Sequence, residues 1–173
     1  ALNVQEAMVL IEPILERVKN GKESDLMALA QEFDGVTPSA IRIPQTELHK
    51  ALTQLDPAIR KALELSIARI SKVHNDQMRS EKTTTVVDGG TVTEKWIPVD
   101  RVGLYVPGGR AVYPSSVMMN VIPAQIAKVQ SIAVASPPQK EFGGLPHPTI
   151  LATCALLGIE EVYAVGGAQI GRA

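Results

Sequence analysis

Apolar residues recur every three or four positions along the first part of the chain, a spacing that is typical of amphipathic helices. Over residues 4–18 and 26–33 this spacing predicts two helices, and Asp34-Gly35 ends the second. Pro13 lies inside the first pattern, where it either kinks the helix or marks the start of its better-formed half. Glu32 and Asp34 then fall at a helix end, where we expect both carboxylates to be solvated.

Two further helices are predicted after an extended stretch at residues 41–44. Thr46 is the candidate N-cap of the first of them, because its hydroxyl can accept from the free N–H groups of an opening helical turn. The apolar stripe from residue 48 to residue 70 is interrupted at Asp56-Pro57. We therefore expect a tight turn between two helices, with Pro57 at the first position of the second helix.

The pattern changes near residue 82 to β-branched and short apolar runs. Residues 83–87 and 91–97 flank Asp88-Gly89-Gly90 and predict a β-hairpin. Buried strands are predicted after it at residues 102–106, 131–136 and 161–165. Right-handed crossovers between such strands would make them parallel, and open parallel sheets bind ligands at the carboxyl ends of their strands.

Helices are predicted between those strands. The first covers residues 117–122, with Ser115 or Ser116 as its cap and Pro123 as a break, and the second covers residues 149–157. The βαβαβ order of strands and helices follows from this alternation.

The predicted fold class is α/β: an N-terminal helical region followed by a partial Rossmann-like parallel sheet (βαβαβ), with a β-hairpin. We expect residues 1–101 to form the helical region with its hairpin, as part of a first α/β domain. Residues 102–173 are expected to form an incomplete nucleotide-binding-like α/β domain. A sheet of three strands leaves an open edge, so we also expect the chain to associate.

Composition excludes several classes of protein. The 173 residues are 45% hydrophobic, and 17 Lys and Arg against 18 Asp and Glu give a net charge of −1, which argues against nucleic acid and anionic bilayers as partners. The N-terminus lacks a basic segment before an apolar one, and no apolar run reaches membrane-spanning length. The single cysteine, Cys154, lies in an apolar run. We expect an inert buried thiol and a cytoplasmic protein.

Two glycine-rich turns follow predicted strands, Pro107-Gly108-Gly109 and Gly166-Gly167-Ala168-Gln169. Glycine lets backbone approach a phosphate or a planar ring closely, yet neither turn matches the dinucleotide fingerprint or a phosphate-binding loop. Each is therefore either a ligand loop or a plain structural turn. Tyr105 directly before the first turn favours a ligand, because its ring is suited to stack on a base or a pyridine ring. The alternative is that Tyr105 fills space beside the sheet.

The chain offers few candidate catalytic groups, and we assign none. His49, His74 and His147 are isolated in sequence and lack metal-ligand spacing, so we expect them to be solvated or structural. Ser115 and Ser116 lack the elbow motif of a nucleophile, and a helix cap or a hydrogen bond to a substrate is the better interpretation.

Residues 102–109, Val-Gly-Leu-Tyr-Val-Pro-Gly-Gly, with Tyr113-Pro114-Ser115-Ser116-Val117 after them, resemble the signature loop of histidinol dehydrogenase. Residues 32–36, 135–138 and 158–169 agree with the same family. The resemblance implies two-step, NAD-dependent oxidation of L-histidinol to L-histidine. It also implies a zinc-dependent homodimer whose fold carries two nucleotide-binding-like α/β domains.

Carried over residue by residue, the resemblance places Tyr105, Pro107 and Gln169 at the NAD and Ser115 near the substrate. Family members are far longer, and their zinc ligands, Glu-His base pair and most substrate contacts follow the Gly-Gly-Ala-Gln turn. The final residues 170–173 depart from the family's alanine-rich helix, which we interpret as a truncated or rearranged end. We expect this chain alone to be inactive; the alternative is a non-catalytic nucleotide-binding or interaction module on the same scaffold.

Overall fold

The computed structural model describes residues 4–109 and 111–171. Within these residues there are six α-helices and five β-strands. The helices are α1 Val4–Asn20, α2 Glu23–Asp34, α3 Gln45–Thr53, α4 Pro57–Asp76, α5 Pro114–Ile126 and α6 Pro148–Leu156. The strands are β1 Lys82–Val87, β2 Gly90–Glu94, β3 Arg101–Tyr105, β4 Ser131–Ser136 and β5 Val162–Ala164. Short 3-10 turns occupy Lys140–Phe142 and Gly167–Gly171. The parts of the predictions that fall on residues 1–3, on residue 110 and on residues 172–173 lie outside the described residues.

The predicted pair of N-terminal helices is confirmed. Helix α1 runs without a break through Pro13. Helix α2 ends at Gly35, whose φ of 69° lies in the left-handed region that glycine adopts without strain. Asp25 of α2 ties the two helices together, since its carboxylate accepts from Arg17 at 3.1 Å and from the backbone N–H of Lys22 at 2.9 Å.

Helix α4 begins as predicted, whereas the predicted cap of α3 is wrong. Pro57 is the first residue of α4, and the Asp56 carboxylate accepts from the N–H groups of Ala58 at 2.7 Å and Ile59 at 3.1 Å. Helix α3 begins at Gln45 rather than after Thr46, with extended Pro44 in the cap position. The carbonyl of Pro44 accepts from the N–H of Glu47 at 3.0 Å, so the first helical turn starts at the proline and not at Thr46.

The hairpin prediction is confirmed with a shorter second strand. Strands β1 and β2 pair antiparallel, with Lys82 opposite Glu94 and a bulge between Thr85 and Val87. Strand β2 ends at Glu94, and Trp96 beyond it lies under the Arg79 guanidinium, 4.7 Å from the ring centroid. Both faces of the hairpin are exposed.

The remaining strands form the predicted parallel sheet, in the order β3-β4-β5. Helix α5 crosses from β3 to β4 and α6 crosses from β4 to β5. Neither Ser115 nor Ser116 caps α5, because Pro114 is its first residue and Tyr113 precedes it without a side-chain cap. Pro123 also lies inside α5 without ending it.

One face of the sheet carries the core. Helix α5 contacts β3 and β4, and α6 packs beside α5 and adds buried residues to the same core, while α3 packs on α6 and α4 packs on α5. The core therefore joins helices from residues 1–101 to the sheet of residues 102–173, although the division into those two domains stays a prediction. Its most deeply buried members are Val106, Val117, Val121, Val134, Ile150, Leu151 and Val162. No helix of the described part of the chain is both long and apolar enough to cross a bilayer.

An extended segment, residues 41–43, lies along the free side of β5. The N–H of Ile43 donates to the carbonyl of Val162 and the N–H of Ala164 donates to the carbonyl of Ile41, both at 2.8 Å. The pairing is antiparallel, so residues that precede Ile41 lie beyond the carboxyl end of β5. The end of α2 is thereby brought to the carboxyl edge of the sheet.

Candidate functional site

A cleft of about 520 Å³ opens at the carboxyl edge of the parallel sheet. Residues that follow all three strands line it: Gly108 and Gly109 after β3, Pro137 and Pro138 after β4, and Gly167 after β5. The last residue of β3, Tyr105, and the last residue of α2, Asp34, complete the wall together with residues 139–141. This is the position at which parallel α/β sheets bind ligands.

Pro137 forms the floor between the two glycine turns. A Cβ atom on Gly108 would lie 2.6 Å from Cγ of Pro137, and one on Gly166 would lie 2.5 Å from Cβ of Pro137. Real Cβ atoms do not approach carbon so closely, so both turns need glycine in order to pack on the proline. The two turns are thereby held at fixed places on either side of β4.

Tyr105 presents its ring to the cleft. The residue is 43% exposed, so it does not fill interior space beside the sheet. Partial burial, together with the negative charge of Asp34, raises the pKa of the Tyr105 phenol, while the backbone of Gly167 acts in the opposite direction. The phenol is therefore neutral at physiological pH, and its flat face is available to an aromatic ligand.

Asp34 lies in the cleft, so one of the two carboxylates expected to be solvated at this helix end is only partly so. Asp34 is half-buried, and burial raises the pKa of its carboxyl group. Within residues 4–109 and 111–171 no side chain or backbone N–H donates to its carboxylate. Glu32, two residues earlier in the same helix, is exposed as expected.

A smaller recess of about 200 Å³ adjoins the cleft. Asp34 and Gly167 line both spaces. Gln169, which is only 3% exposed, lies in the wall of the smaller recess together with Phe33. Tyr105 and Gln169 thus lie in neighbouring spaces that share a carboxylate.

The other two residues predicted for the site lie apart from these spaces. Pro107 is exposed in its turn and lines neither recess. Ser115 is exposed in the first turn of α5 and lines neither recess. Their roles toward NAD and substrate stay predictions.

A second cavity, of about 570 Å³, lies on the sheet face opposite to the core. Small residues, among them Gly103 and Ala133, form its floor. At its amino end Arg101 pairs with both carboxylate oxygens of Glu161, and the Tyr163 hydroxyl donates to the same carboxylate at 2.5 Å. These contacts join β3 to β5 across the sheet, and the polar groups of this cavity are already paired with one another.

The histidines and the cysteine take structural or exposed positions. Nδ1 of His147 accepts from the N–H of Thr149 at 3.1 Å and caps α6, and burial lowers the pKa of this imidazole. His49 is exposed. Cys154 is a free, buried thiol, and burial raises its pKa to about 12. In the described part of the chain no three His, Cys, Asp or Glu side chains converge, so these residues do not fit a zinc site.

Comparison with known proteins gives a consistent result. The family model described as histidinol dehydrogenase matches residues 1–170. Histidinol dehydrogenase from Thermobifida fusca is 62% identical over 168 residues, and that from Nocardia farcinica is 60% identical over 168 residues. Each match covers 97% of this chain and 38% of the relative.

A solved structure shares the fold. The crystal structure of histidinol dehydrogenase from Elizabethkingia anophelis superposes with a TM-score of 0.89 at 29% sequence identity. The superposition covers 98% of this chain and 38% of that chain. The chain therefore spans about two fifths of the length of the proteins it matches.

Proposed function

Because this chain belongs to the histidinol dehydrogenase family, we propose that it supplies the NAD cleft of an enzyme that oxidises L-histidinol to L-histidine in histidine biosynthesis. The observation that carries the proposal is the cleft at the carboxyl edge of the sheet, where Tyr105 stands beside two glycine turns. NAD, when bound, accepts a hydride from the alcohol substrate. The residues of this chain bind and orient that cofactor.

The walls of the cleft fit the chemistry of a dinucleotide. The Tyr105 ring offers a flat surface for a base or for the nicotinamide. Gly109 lets the backbone come close to the bound molecule, because the space that a side chain would take there is open. Gln169 in the adjoining recess brings an amide with both donors and an acceptor.

The described residues do not fit the zinc of the family, and we derive no step through it. Oxidation of an alcohol also requires a base for the hydroxyl proton and a group that stabilises the alkoxide. We propose that this chain contributes the part of the site that holds the cofactor, and that Ser115 lies near the substrate.

Titration of NAD tests the proposal. We expect calorimetry to detect binding that is low in affinity, and Tyr105→Ala to weaken it about 3- to 10-fold, since a stacked aromatic pair contributes about 0.5–1.5 kcal/mol. The matched control is Tyr113→Ala, because Tyr113 is also exposed and lies outside the cleft. Absence of NAD binding, or an equal loss in both variants, would contradict the proposal.

We further propose that the chain forms a homodimer. Not one of the residues of α1 is buried, and Val4, Val9 and Leu10 are each more than 70% exposed. Apolar side chains of this size on one helix favour association, since removing them from water stabilises a complex. We expect light scattering to report twice the chain mass and Leu10→Ser to lower the dimer fraction. A compact monomer at all concentrations would contradict it.

A cytoplasmic location is part of the same proposal. Histidine biosynthesis uses soluble metabolites, and the lone cysteine of the sequence is a buried free thiol. Such a thiol fits a reducing compartment. Cell fractionation would test the location directly.

A further inference from the structure

We propose that Asp34 binds the vicinal hydroxyls of the adenosine ribose and thereby selects NAD over NADP. This inference rests on the NAD cleft proposed above and adds the residue that determines cofactor specificity. Asp34 lines both the cleft that contains Tyr105 and the smaller recess that contains Gln169. A dinucleotide that occupies both spaces must therefore pass its carboxylate.

Among the described residues, no group donates a hydrogen bond to the Asp34 carboxylate. Asp34 is half-buried at the junction of the two spaces. A partly desolvated carboxylate is stabilised when a bound ligand donates hydrogen bonds to it. The site therefore calls for a ligand that donates hydrogen bonds.

The position of Asp34 in its helix is also unfavourable for a negative charge. Asp34 is the last residue of α2, and no basic residue occupies the last turn of that helix. Helix carboxyl ends carry partial negative charge, so an acidic group there is destabilising. The fold thus holds a carboxylate where burial and the helix dipole both oppose it, which is a mark of a functional rather than a stabilising residue.

A ribose diol matches this acceptor. Two neighbouring hydroxyls donate to the two oxygens of one carboxylate, and an acidic residue in this role is the usual recognition of NAD at the edge of an α/β sheet. In NADP a phosphate ester replaces the 2′-hydroxyl, so a donor is lost and a dianion is placed beside the carboxylate. Two negative groups that lie side by side repel each other strongly when they are partly desolvated.

The other charged groups that the structure describes in the cleft do not offset Asp34. Lys140 and Glu141 carry opposite charges next to each other in sequence, and both are exposed. Their charges cancel to first order, so the Asp34 carboxylate determines the sign of the potential in the described part of the cleft. Phe33 provides an exposed ring next to Asp34, which suits the adenine attached to the same ribose.

The test compares NAD with NADP in three forms of the protein. Dissociation constants are measured by calorimetry for the unchanged chain, for Asp34→Asn and for Glu141→Gln, which removes the same charge from the same cleft. We expect NAD to bind more tightly than NADP in the unchanged chain. Asp34→Asn should lower that preference about tenfold or more, because a charged hydrogen bond contributes about 1.5–3 kcal/mol. Glu141→Gln should leave the preference within about twofold.

A second measurement does not depend on the folding of any variant. The analogue of NAD that lacks the adenosine 2′-hydroxyl should bind the unchanged chain about tenfold more loosely than NAD does. If the unchanged chain binds neither NAD nor NADP, the proposed function fails and this inference fails with it. If NAD binds but the analogue binds equally well, or Asp34→Asn keeps the preference, Asp34 does not select the cofactor and the proposed NAD cleft stands.

Discussion

Gly166 packs directly on Pro137, so closely that a Cβ atom on the glycine would lie 2.5 Å from Cβ of the proline. The contact joins the turn after β5 to the residue that follows β4. Together with the matching contact of Gly108 it sets the width of the cleft. Two of the glycines in the motif are therefore explained by packing on a proline, whatever the ligand.

Replacement of Gly166 by alanine is expected to destabilise the protein. The added methyl group collides with Pro137, and overpacking of this kind costs about 1–3 kcal/mol. Urea denaturation of Gly166→Ala measures the change in the free energy of unfolding. Gly103→Ala is the control, since a Cβ at that position meets nothing within 4 Å. Equal stability of the two variants would show that the turn moves away from the proline without cost.

Asp34→Asn is expected to stabilise the free protein at neutral pH. The change removes an unfavourable charge from the carboxyl end of α2, an effect of about 0.3–1 kcal/mol. The difference in stability between the variant and the unchanged protein depends on pH, because the pKa of Asp34 is raised in the folded protein. The charge destabilises the fold most at neutral pH, and the penalty fades as pH falls through that raised pKa toward the ordinary aspartate value.

Thermal denaturation of Asp34→Asn and of the unchanged protein at a series of pH values checks this expectation. Glu32→Gln is the control for an exposed charge in the same turn, and it also removes the exposed 3.9 Å ion pair of Glu32 with Arg17, which contributes little. A stability difference that is independent of pH, or a less stable Asp34→Asn protein at pH 7, would contradict the account.

Glu161 is expected to contribute stability that acid removes. Hydrogen bonds from Arg101 and then from Tyr163 lower the pKa of Glu161. A lowered folded pKa gives stability that is complete above the unfolded value, about 4.3 for glutamate, and that is lost as pH falls through the folded value. Glu161→Gln should therefore flatten the loss of stability below about pH 5.

The measurement for Glu161 is the denaturation midpoint between neutral and acidic pH. Glu160→Gln is a close control, because Glu160 is the exposed neighbour of Glu161, and Arg101 and Tyr163 donate to Glu161 instead. The same acid dependence in all three proteins would mean that the Arg101 contact adds nothing to stability.

This chain alone is expected to form no NADH from L-histidinol when zinc is supplied. The described residues bring no three metal-binding side chains together, and no base is assigned in the cleft. Absorbance at the NADH band, followed with NAD, L-histidinol and zinc, measures the rate. Turnover that depends on histidinol and disappears in Tyr105→Ala would overturn this expectation and show a more complete site than the described residues form.

The order of elements could be predicted from the sequence because it depends on local patterns. Helical spacing before residue 76 and β-branched or apolar runs after residue 82 identify each helix and strand. The wrong predictions concern helix starts. Pro44 precedes α3 and Pro114 begins α5, whereas the predicted caps were Thr46 and Ser115 or Ser116. A proline with a suitable φ competes with a hydroxyl cap, and the sequence does not tell which one the chain will use.

The place of Asp34 could not be predicted, because it depends on a contact that is distant in sequence. Asp34 reaches the cleft only since residues 41–43 pair with β5, about 120 positions further along the chain. The alternation Ile41-Arg42-Ile43 was the available signal, and three residues are too few to identify a paired strand. Tyr105 could be predicted more easily, because it is the last residue of a strand that the local pattern identifies and therefore lies at the sheet edge.

The pairing of residues 41–43 with β5 also determines which edge of the sheet can accept a further strand. One border is closed by that short antiparallel piece, whereas β3 has no neighbour on its outer side in the described part of the chain. Any polypeptide that extends the sheet, from the same molecule or from another, must align with the backbone of β3. The part of it that pairs with the carboxyl end of β3 would then lie next to Tyr105, so the same pairing would both extend the sheet and add a wall to the cleft.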